Sequence, residues 1–279
     1  MLIANRSLSE NSRSFMYNLR KGKEDFVDSC LHWRIVYMLG ISEIKKRYLR
    51  SKIGQFWLTM PLAINICSMG LIWAYLFKIS VMQYLPFIAT GTVLWQFIAS
   101  CINEGTGSYI ASSSYIYALN LPKLIYINSL IVRNIITTAH NLILLIIVYI
   151  YCGIHISVEN IVLFILCFFL TILFLYPLVV FLALVSLRFR DVPNIVTSLM
   201  QVVFYLTPIM WKLEQMPAKF QKFILLNPLA VLILIWRNAI FSTKTPYEYW
   251  LATIIYIILA WLIALPIFIK FRSRIVYWL

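Results

Sequence analysis

Charge is scarce in this chain, and acidic charge is scarcest. Of 279 residues only 12% are Asp, Glu, Lys or Arg, and only 10 are acidic, where soluble domains carry roughly 25% charged residues. With 62% hydrophobic residues and a mean hydropathy of +0.85, an integral membrane protein is the class that fits. The few acids lie nearly all in polar segments, so none completes an ion pathway in mid-span, which argues against an ion-coupled transporter. Glycine is short too: none of the eight glycines opens a phosphate-binding loop of the GxxxxGK pattern. If ATP drives this protein, another polypeptide must hydrolyse it. HExxH, GxSxG and paired carboxylates on one helix face are also missing, so catalysis finds little support. The five cysteines (Cys30, Cys67, Cys101, Cys152 and Cys167) are odd in number and form no CxxC pair. They read as small buried hydrophobes, not as a disulfide framework or a metal site. No short apolar core stands ahead of a small-residue site near the start, so no cleavable signal peptide is expected. Neither an internal repeat nor a low-complexity segment is visible.

What is there is basic. The formal net charge is +14, but the cations cluster beside the ends of apolar segments, a topology signal, and do not form a face interleaved with exposed aromatics, so nucleic acid is not an expected partner. Residues 1–30 are polar and mixed in charge and are expected to form a loosely ordered tail. Over residues 31–55 a helix is expected, with Trp33, Tyr37, Ile41, Ile44 and Tyr48 along one stripe and His32, Glu43, Lys46, Arg47 and Arg50 roughly opposite. Such a helix suits a membrane surface; an ordinary solvated helix is the plainer alternative. Gly54 would release the chain into the first span.

Residues 56–279 then form a six-span domain, with spans at about 56–79, 85–102, 128–152, 160–187, 194–211 and 249–269. Between the last two, residues 212–248 hold an apolar core, Leu229–Trp236, too short for a full crossing, so a re-entrant or interfacial hairpin is expected. The fold class is thus all-α integral membrane, with an N-terminal amphipathic interface helix and a re-entrant hairpin before the last span. Residues 1–55 carry eleven Lys or Arg, and Lys123, Arg188, Arg190, Lys270, Arg272 and Arg274 fall on the same side of a six-span chain. The positive-inside rule places both termini in the cytoplasm.

Polar side chains recur within the spans. Thr92, Gln96, Ser100 and Asn103 share an arc of the second; Arg133, Asn134, Thr137, Thr138, His140 and Asn141 share a broad arc of the third; Thr197, Ser198, Gln201 and Tyr205 share one of the fifth. Polar groups in hydrocarbon turn to protein or to a water-filled path. Two readings stay open: a polar, aromatic-rich translocation route, or interhelical hydrogen bonds that pack the bundle. His140 alone reads as a hydrogen-bonded helix residue before a proton relay. Arg133, about one turn into its span, is expected to snorkel to the membrane surface.

A set of short stretches then resembles a known family. These are Arg47-Tyr48-Leu49-Arg50-Ser51-Lys52-Ile53-Gly54-Gln55-Phe56-Trp57, Leu85-Pro86-Phe87-Ile88-Ala89-Thr90-Gly91, Asn120-Leu121-Pro122-Lys123, Arg188-Phe189-Arg190-Asp191, Leu206-Thr207-Pro208-Ile209-Met210-Trp211 and Asn227-Pro228-Leu229. In this order, within a six-span layout, they resemble the membrane subunit of ABC exporters of the polysaccharide class, which serve O-antigen, capsule and teichoic acid export. Relatives often place Gly-Pro where this chain has Gly54-Gln55. The resemblance implies a homodimer in the cytoplasmic (inner) membrane with two copies of a separate ATPase that binds ATP and Mg, so no cofactor is expected in this chain. It implies ATPase coupling through Asn120, Leu121, Pro122 and Lys123 and through Arg188, Arg190 and Asp191. It implies a cytoplasmic gate for a lipid-linked glycan at Lys46, Arg47, Tyr48, Arg50 and Lys52, whose cations would hold a lipid pyrophosphate; topology and attraction to anionic membrane lipids explain the same basic run equally well. A path along Trp57, Thr92, Gln96, Ser100, Thr137, His140, Asn141, Gln201 and Tyr205 would lead to an exit hairpin with Trp211, Asn227, Pro228 and Arg237. An exporter of small hydrophobic compounds shares the plan. An integral-membrane enzyme of glycan or lipid assembly would need an acid–base pair, for which Glu104 and His140 are the nearest candidates.

Overall fold

The computed structural model describes residues 17, 19–49 and 56–279, and every regular element among them is helical. Apolar runs in hydrocarbon have no water to satisfy their backbone, so they close their hydrogen bonds internally as helices. Five helices are long and apolar enough to cross a membrane: α3 (Phe56–Phe77), α4 (Val81–Thr106), α7 (Leu124–Tyr151), α8 (Val158–Arg188) and α12 (Tyr247–Phe271). Before them come α1 (residues 19–31) and α2 (Trp33–Tyr48), nearly continuous across His32. The short helices α5 (Ser108–Ala111) and α6 (Ser113–Ala118) separate α4 from α7. The segment between α8 and α12 holds α9 (Val192–Leu206), α10 (Ala218–Phe223) and α11 (Pro228–Ile240), and α13 (Ile275–Trp278) closes the chain.

The bundle is built around α4. Its stretch from Pro86 to Trp95 is buried on every side, packed by α3, α7, α8, α9 and α11. Small residues make that possible. A Cβ added at Gly91 would lie 2.5 Å from Arg237 Nη2 on α11, so only glycine admits the guanidinium. Gly40 does the same for α2, where a Cβ would stand 3.0 Å from the Ser129 carbonyl of α7. Helix α8 begins on a capping box in which Ser157 Oγ accepts from Asn160 N–H and Asn160 Oδ1 accepts from Ser157 N–H, each at 3.2 Å.

Several expectations need correction. The second span begins earlier and ends later than residues 85–102, with Pro86 inside the helix. The connection between the expected second and third spans is mostly helical, because α4 runs to Thr106, α5 and α6 follow, and α7 starts at Leu124. The fifth span, expected over 194–211, is the 15-residue α9, about 22 Å long against a hydrocarbon core of about 30 Å. After it the chain turns through residues 207–211, and the segments Lys219–Leu226 and Pro228–Ile240 meet at 105°. Asn227 makes that corner: its Oδ1 accepts from Leu229 and Ala230 N–H, Pro228 follows where no donor is needed, and its Nδ2 donates to Thr207 Oγ1 at 3.1 Å.

Within residues 1–30, residues 19–31 are not a loose tail but a helix. Gly22, Asp25 and Ser29 form its buried stripe. Asp25 accepts from Leu124 N–H at 3.4 Å and pairs with Arg272 at the end of α12. Phe26 meets the rings of Tyr176 and Trp261 edge-on, and those two stack at 5.8 Å. Two of the five cysteines, Cys30 and Cys67, are exposed and not buried. The aromatic stripe of α2 is divided as well. Trp33 and Tyr37 are exposed, while Val36, Gly40 and Ile44 form the face laid against α7. The Gly54-Gln55 turn, Arg50 and Lys52 lie outside the described residues.

Candidate functional site

The ends of α2 and α4 meet the first part of α7, and there the chain concentrates charge around one buried cation, Arg133. Glu43 and Arg47 are four residues apart on α2, so both turn to the same side. Glu104 stands in the last turn of α4, and Arg133 with Asn134 lies near the start of α7. Glu104 is the hub. Its Oε1 accepts from Arg47 Nη2 at 2.8 Å, and its Oε2 accepts from Arg133 Nη2 at 2.7 Å and Asn134 Nδ2 at 3.2 Å. Arg133 also pairs with Glu43. Arg133 therefore does not snorkel as expected: 11% of its side chain is exposed, and two carboxylates neutralise it inside the protein. Removing either partner from so buried a pair leaves an uncompensated charge, which is why such pairs hold elements in one arrangement.

Beside this network opens a cavity of about 510 Å³, bordered by α2, the end of α4, α5, α6 and α7. Lys46, Arg47 and Arg133 line it against Glu43 and Glu104, leaving one cation in excess. Lys46 Nζ donates to Tyr115 OH at 3.0 Å and lies 5.6 Å from the centre of that ring. Four residues bordering the cavity carry a buried polar atom with no protein partner: Asn103 Oδ1, Ser108 Oγ, Tyr126 OH and Arg133 Nε. Unpaired buried polar groups are costly, so their gathering at one cavity points to a polar occupant. Chemically, the site is suited to hold an anion beside a hydroxyl-rich wall.

The other residues singled out in the sequence are dispersed. Lys46 and Arg47 belong to the network, and Tyr48 is the last residue of α2. Asn120 is exposed, with Leu121, Pro122 and Lys123 half-buried beside it. Burial lowers the pKa of Lys123, with Asp25 opposing that effect and Arg272 adding to it. The exposed Arg190 donates to the Trp278 and Leu279 carbonyls at 3.0 and 3.3 Å, and Arg188 and Asp191 are exposed around it. Thr92 is buried and bonds the Ile88 carbonyl, whereas Gln96 is exposed and donates to Ser100 at 3.1 Å. Thr137 bonds Arg133 O, and His140 Nδ1 lies 2.9 Å from Ile136 O. Asn141 is buried with its Oδ1 unpartnered. With Phe56, Thr59 and Met60, His140 lines an apolar groove of about 540 Å³ between α3 and α7. Trp57, Gln201 and Tyr205 are exposed. Trp211 Nε1 donates to the Tyr205 carbonyl at 3.1 Å.

Arg237, expected in the exit hairpin, lies on α11. It is buried, with Nη1 donating to Pro208 O at 2.6 Å, Nη2 to Ile209 O at 3.2 Å and to Phe87 O at 3.4 Å, and its guanidinium lies 3.6 Å from the Phe87 ring centre. It fastens the 207–210 turn to α4. Of Glu104 and His140, weighed above as an acid–base pair, Glu104 is held by two arginines, and His140 Nδ1 lies beside a carbonyl of its own helix.

Sequence reasoning missed the partners of Arg133, although a signal existed. Glu104 is the one acid between Glu43 and Glu159, placed where one apolar run ends, and Arg133 stands where the next begins. An isolated acid and an isolated cation at adjoining span ends are candidates for a pair.

Comparison with known proteins adds a family. The profile of the family described as ABC-2 type transporter matches residues 40–241. Two O-antigen export system permease proteins RfbA of Klebsiella pneumoniae are each 26% identical, over 239 and 240 residues, covering 83% of this chain and 90% of each relative. An O-antigen export system permease protein RfbA of Myxococcus xanthus is 21% identical over 210 residues, covering 73% of this chain and 79% of that protein.

Proposed function

Since the chain belongs to the ABC-2 type transporter family, and is thereby a transport subunit served by a separate ATPase, we propose that its cargo is a lipid-linked polysaccharide, O-antigen above all, moved out across the cytoplasmic membrane. One observation carries the reading: a part-open, cation-bearing, hydroxyl-lined cavity under a helix with exposed Trp33 and Tyr37, at a membrane face. A lipid-linked glycan has a head group that hydrocarbon rejects and a tail that belongs there. A site that pairs cations with hydroxyls beside a lipid-facing helix serves both parts. The relatives named as O-antigen export permeases support the same cargo.

The basic charge beside α1, α2 and the ends of α8 and α12 supports a cytoplasmic position for this face and for both termini. The exposed tip from Tyr117 to Asn120 and the Arg188–Asp191 turn are then the surfaces offered to the ATPase. Helix α9 supports a second copy of the chain. It exposes Thr197, Ser198, Gln201 and Tyr205, which hydrocarbon would penalise and which another protomer or a polar path between two protomers would satisfy. The 105° corner at Asn227 favours a re-entrant hairpin at the outer face.

The test is to delete the gene and fractionate lipid-linked from surface glycan. Polymer trapped inside the cell beneath an undecorated surface is the expected result. Loss of polymer from both pools would instead indicate synthesis, and unchanged pools would leave export of small hydrophobic compounds as the reading.

A further inference from the structure

Resting on that reading of the cavity, we infer that Glu104 is a built-in counter-anion: it occupies Arg47 while the site is empty, and the phosphate of an incoming lipid displaces it. The carboxylate holds two arginines of unequal freedom. Arg133 is 11% exposed and is also held by Glu43, and Asn134 beside it donates to the same Glu104 oxygen. Arg47 is 49% exposed, and among the described residues its ion pair is with Glu104, at 2.8 Å. Arg47 is therefore the exchangeable member and Arg133 the fixed one.

A half-exposed ion pair is weak, whereas a guanidinium facing a phosphate makes forked, charge-assisted bonds. A diphosphate entering the cavity beside Lys46 wins Arg47 from the carboxylate, and Glu104 keeps Arg133 and Asn134. The Arg47–Glu104 pair is also a tie between α2 and α4. Arrival of the head group thus breaks the tie between α2 and α4, while the Glu43–Arg133 pair and the face of Val36, Gly40 and Ile44 keep α2 on α7. Because the site already contains its own anion, a neutral lipid has nothing to exchange with and leaves the tie closed.

The experiment is equilibrium binding of farnesyl diphosphate, with farnesol as the neutral control, to the intact permease–ATPase complex in nanodiscs. Competition makes two substitutions act in opposite directions. Glu104→Gln removes the resident anion and is expected to tighten farnesyl diphosphate binding about three- to fivefold, the worth of a partly exposed pair. Arg47→Gln removes the receiving cation and is expected to weaken it by about tenfold. The unfolding temperature of the Glu104→Gln complex, compared with wild type, guards against a folding defect. If both Glu104→Gln and Arg47→Gln weaken binding, the carboxylate only shapes the site and the exchange is wrong, while the lipid-head-group reading of the cavity stands. If farnesyl diphosphate binds no better than farnesol in the wild-type complex, the cavity does not receive a lipid phosphate, and both the exchange and that reading of the site fall.

Discussion

At the scale of single residues, Arg237 and Gly91 act as one device. The guanidinium answers three backbone carbonyls, from Pro208, Ile209 and Phe87, and the missing Cβ of Gly91 gives it room. Arg237→Met leaves those carbonyls unanswered in a buried place and is expected to cost about 3 kcal/mol, read as a lower unfolding temperature of the purified protein in detergent and a severalfold drop in its amount in membranes. Gly91→Ala is expected to lower the unfolding temperature as well, because its methyl meets Arg237 Nη2. In the Arg237→Met background the same Gly91→Ala change should cost less, because only its closeness to Ile209, 3.2 Å from the carbonyl, remains. Equal, additive losses would show that the two positions act separately. Such pairings are hard to read in sequence. Arg237 stands out as a cation inside an apolar helix, but its partners are carbonyls, two in the turn at residues 207–210 and one on α4, and a carbonyl has no letter of its own.

At the scale of elements, the helices most visible in the sequence are those whose burial is apolar. Helices α3, α4, α7, α8 and α12 fall within a few residues of the expected spans because length and hydropathy alone mark them. Helix α1 escaped that logic. Its buried stripe is Gly22, Asp25 and Ser29, which keeps helical spacing but contains no hydrophobic side chain, so a search for apolar periodicity passes over it. What holds α1 is Asp25, wholly enclosed and paired with Arg272, together with Phe26 against Tyr176 and Trp261. Asp25→Ala strands the arginine and frees the Leu124 N–H. Limited trypsin digestion of the purified protein should then cut at Arg20, Lys21 and Lys23 several times faster than in wild type, with the bundle helices still protected. An unchanged cleavage rate would mean that the aromatic contacts alone seat α1. Helix α2 shows the opposite error: its aromatic stripe was visible, but the face that binds the bundle is Val36, Gly40 and Ile44, since a glycine gives the closer approach to α7.

At the scale of the whole molecule, the five long helices and the shorter α9 make an even count if α9 crosses, and the two ends of the chain then share a side. Tyr117, 62% exposed on α6, and Lys244, in the turn before α12, would lie on opposite sides of the membrane. With the exposed Cys30 and Cys67 replaced, an impermeant maleimide applied to intact cells should label Lys244→Cys and spare Tyr117→Cys until the membrane is opened. Labelling of both from outside would overturn the six-crossing layout. The fold class was legible because composition alone forces helices through hydrocarbon. The charge network was not, because its members come from three elements separated by up to 90 positions, Glu43 to Arg133, and each looks unremarkable in its own neighbourhood.

The position of Glu104 within its helix has a consequence of its own. A carboxylate in the last turn of a helix sits at the negative end of the backbone dipole, an arrangement unfavourable by about 0.3–1 kcal/mol. In the resting protein the two guanidinium groups cancel it. When one of them is withdrawn, the closing turn of α4 bears the repulsion, and that turn runs through Gly107 directly into α5 and α6. The exposed tip at Tyr117 is thirteen residues from Glu104 along the chain. Withdrawal of a guanidinium is thus expected to loosen the segment that leads to that tip.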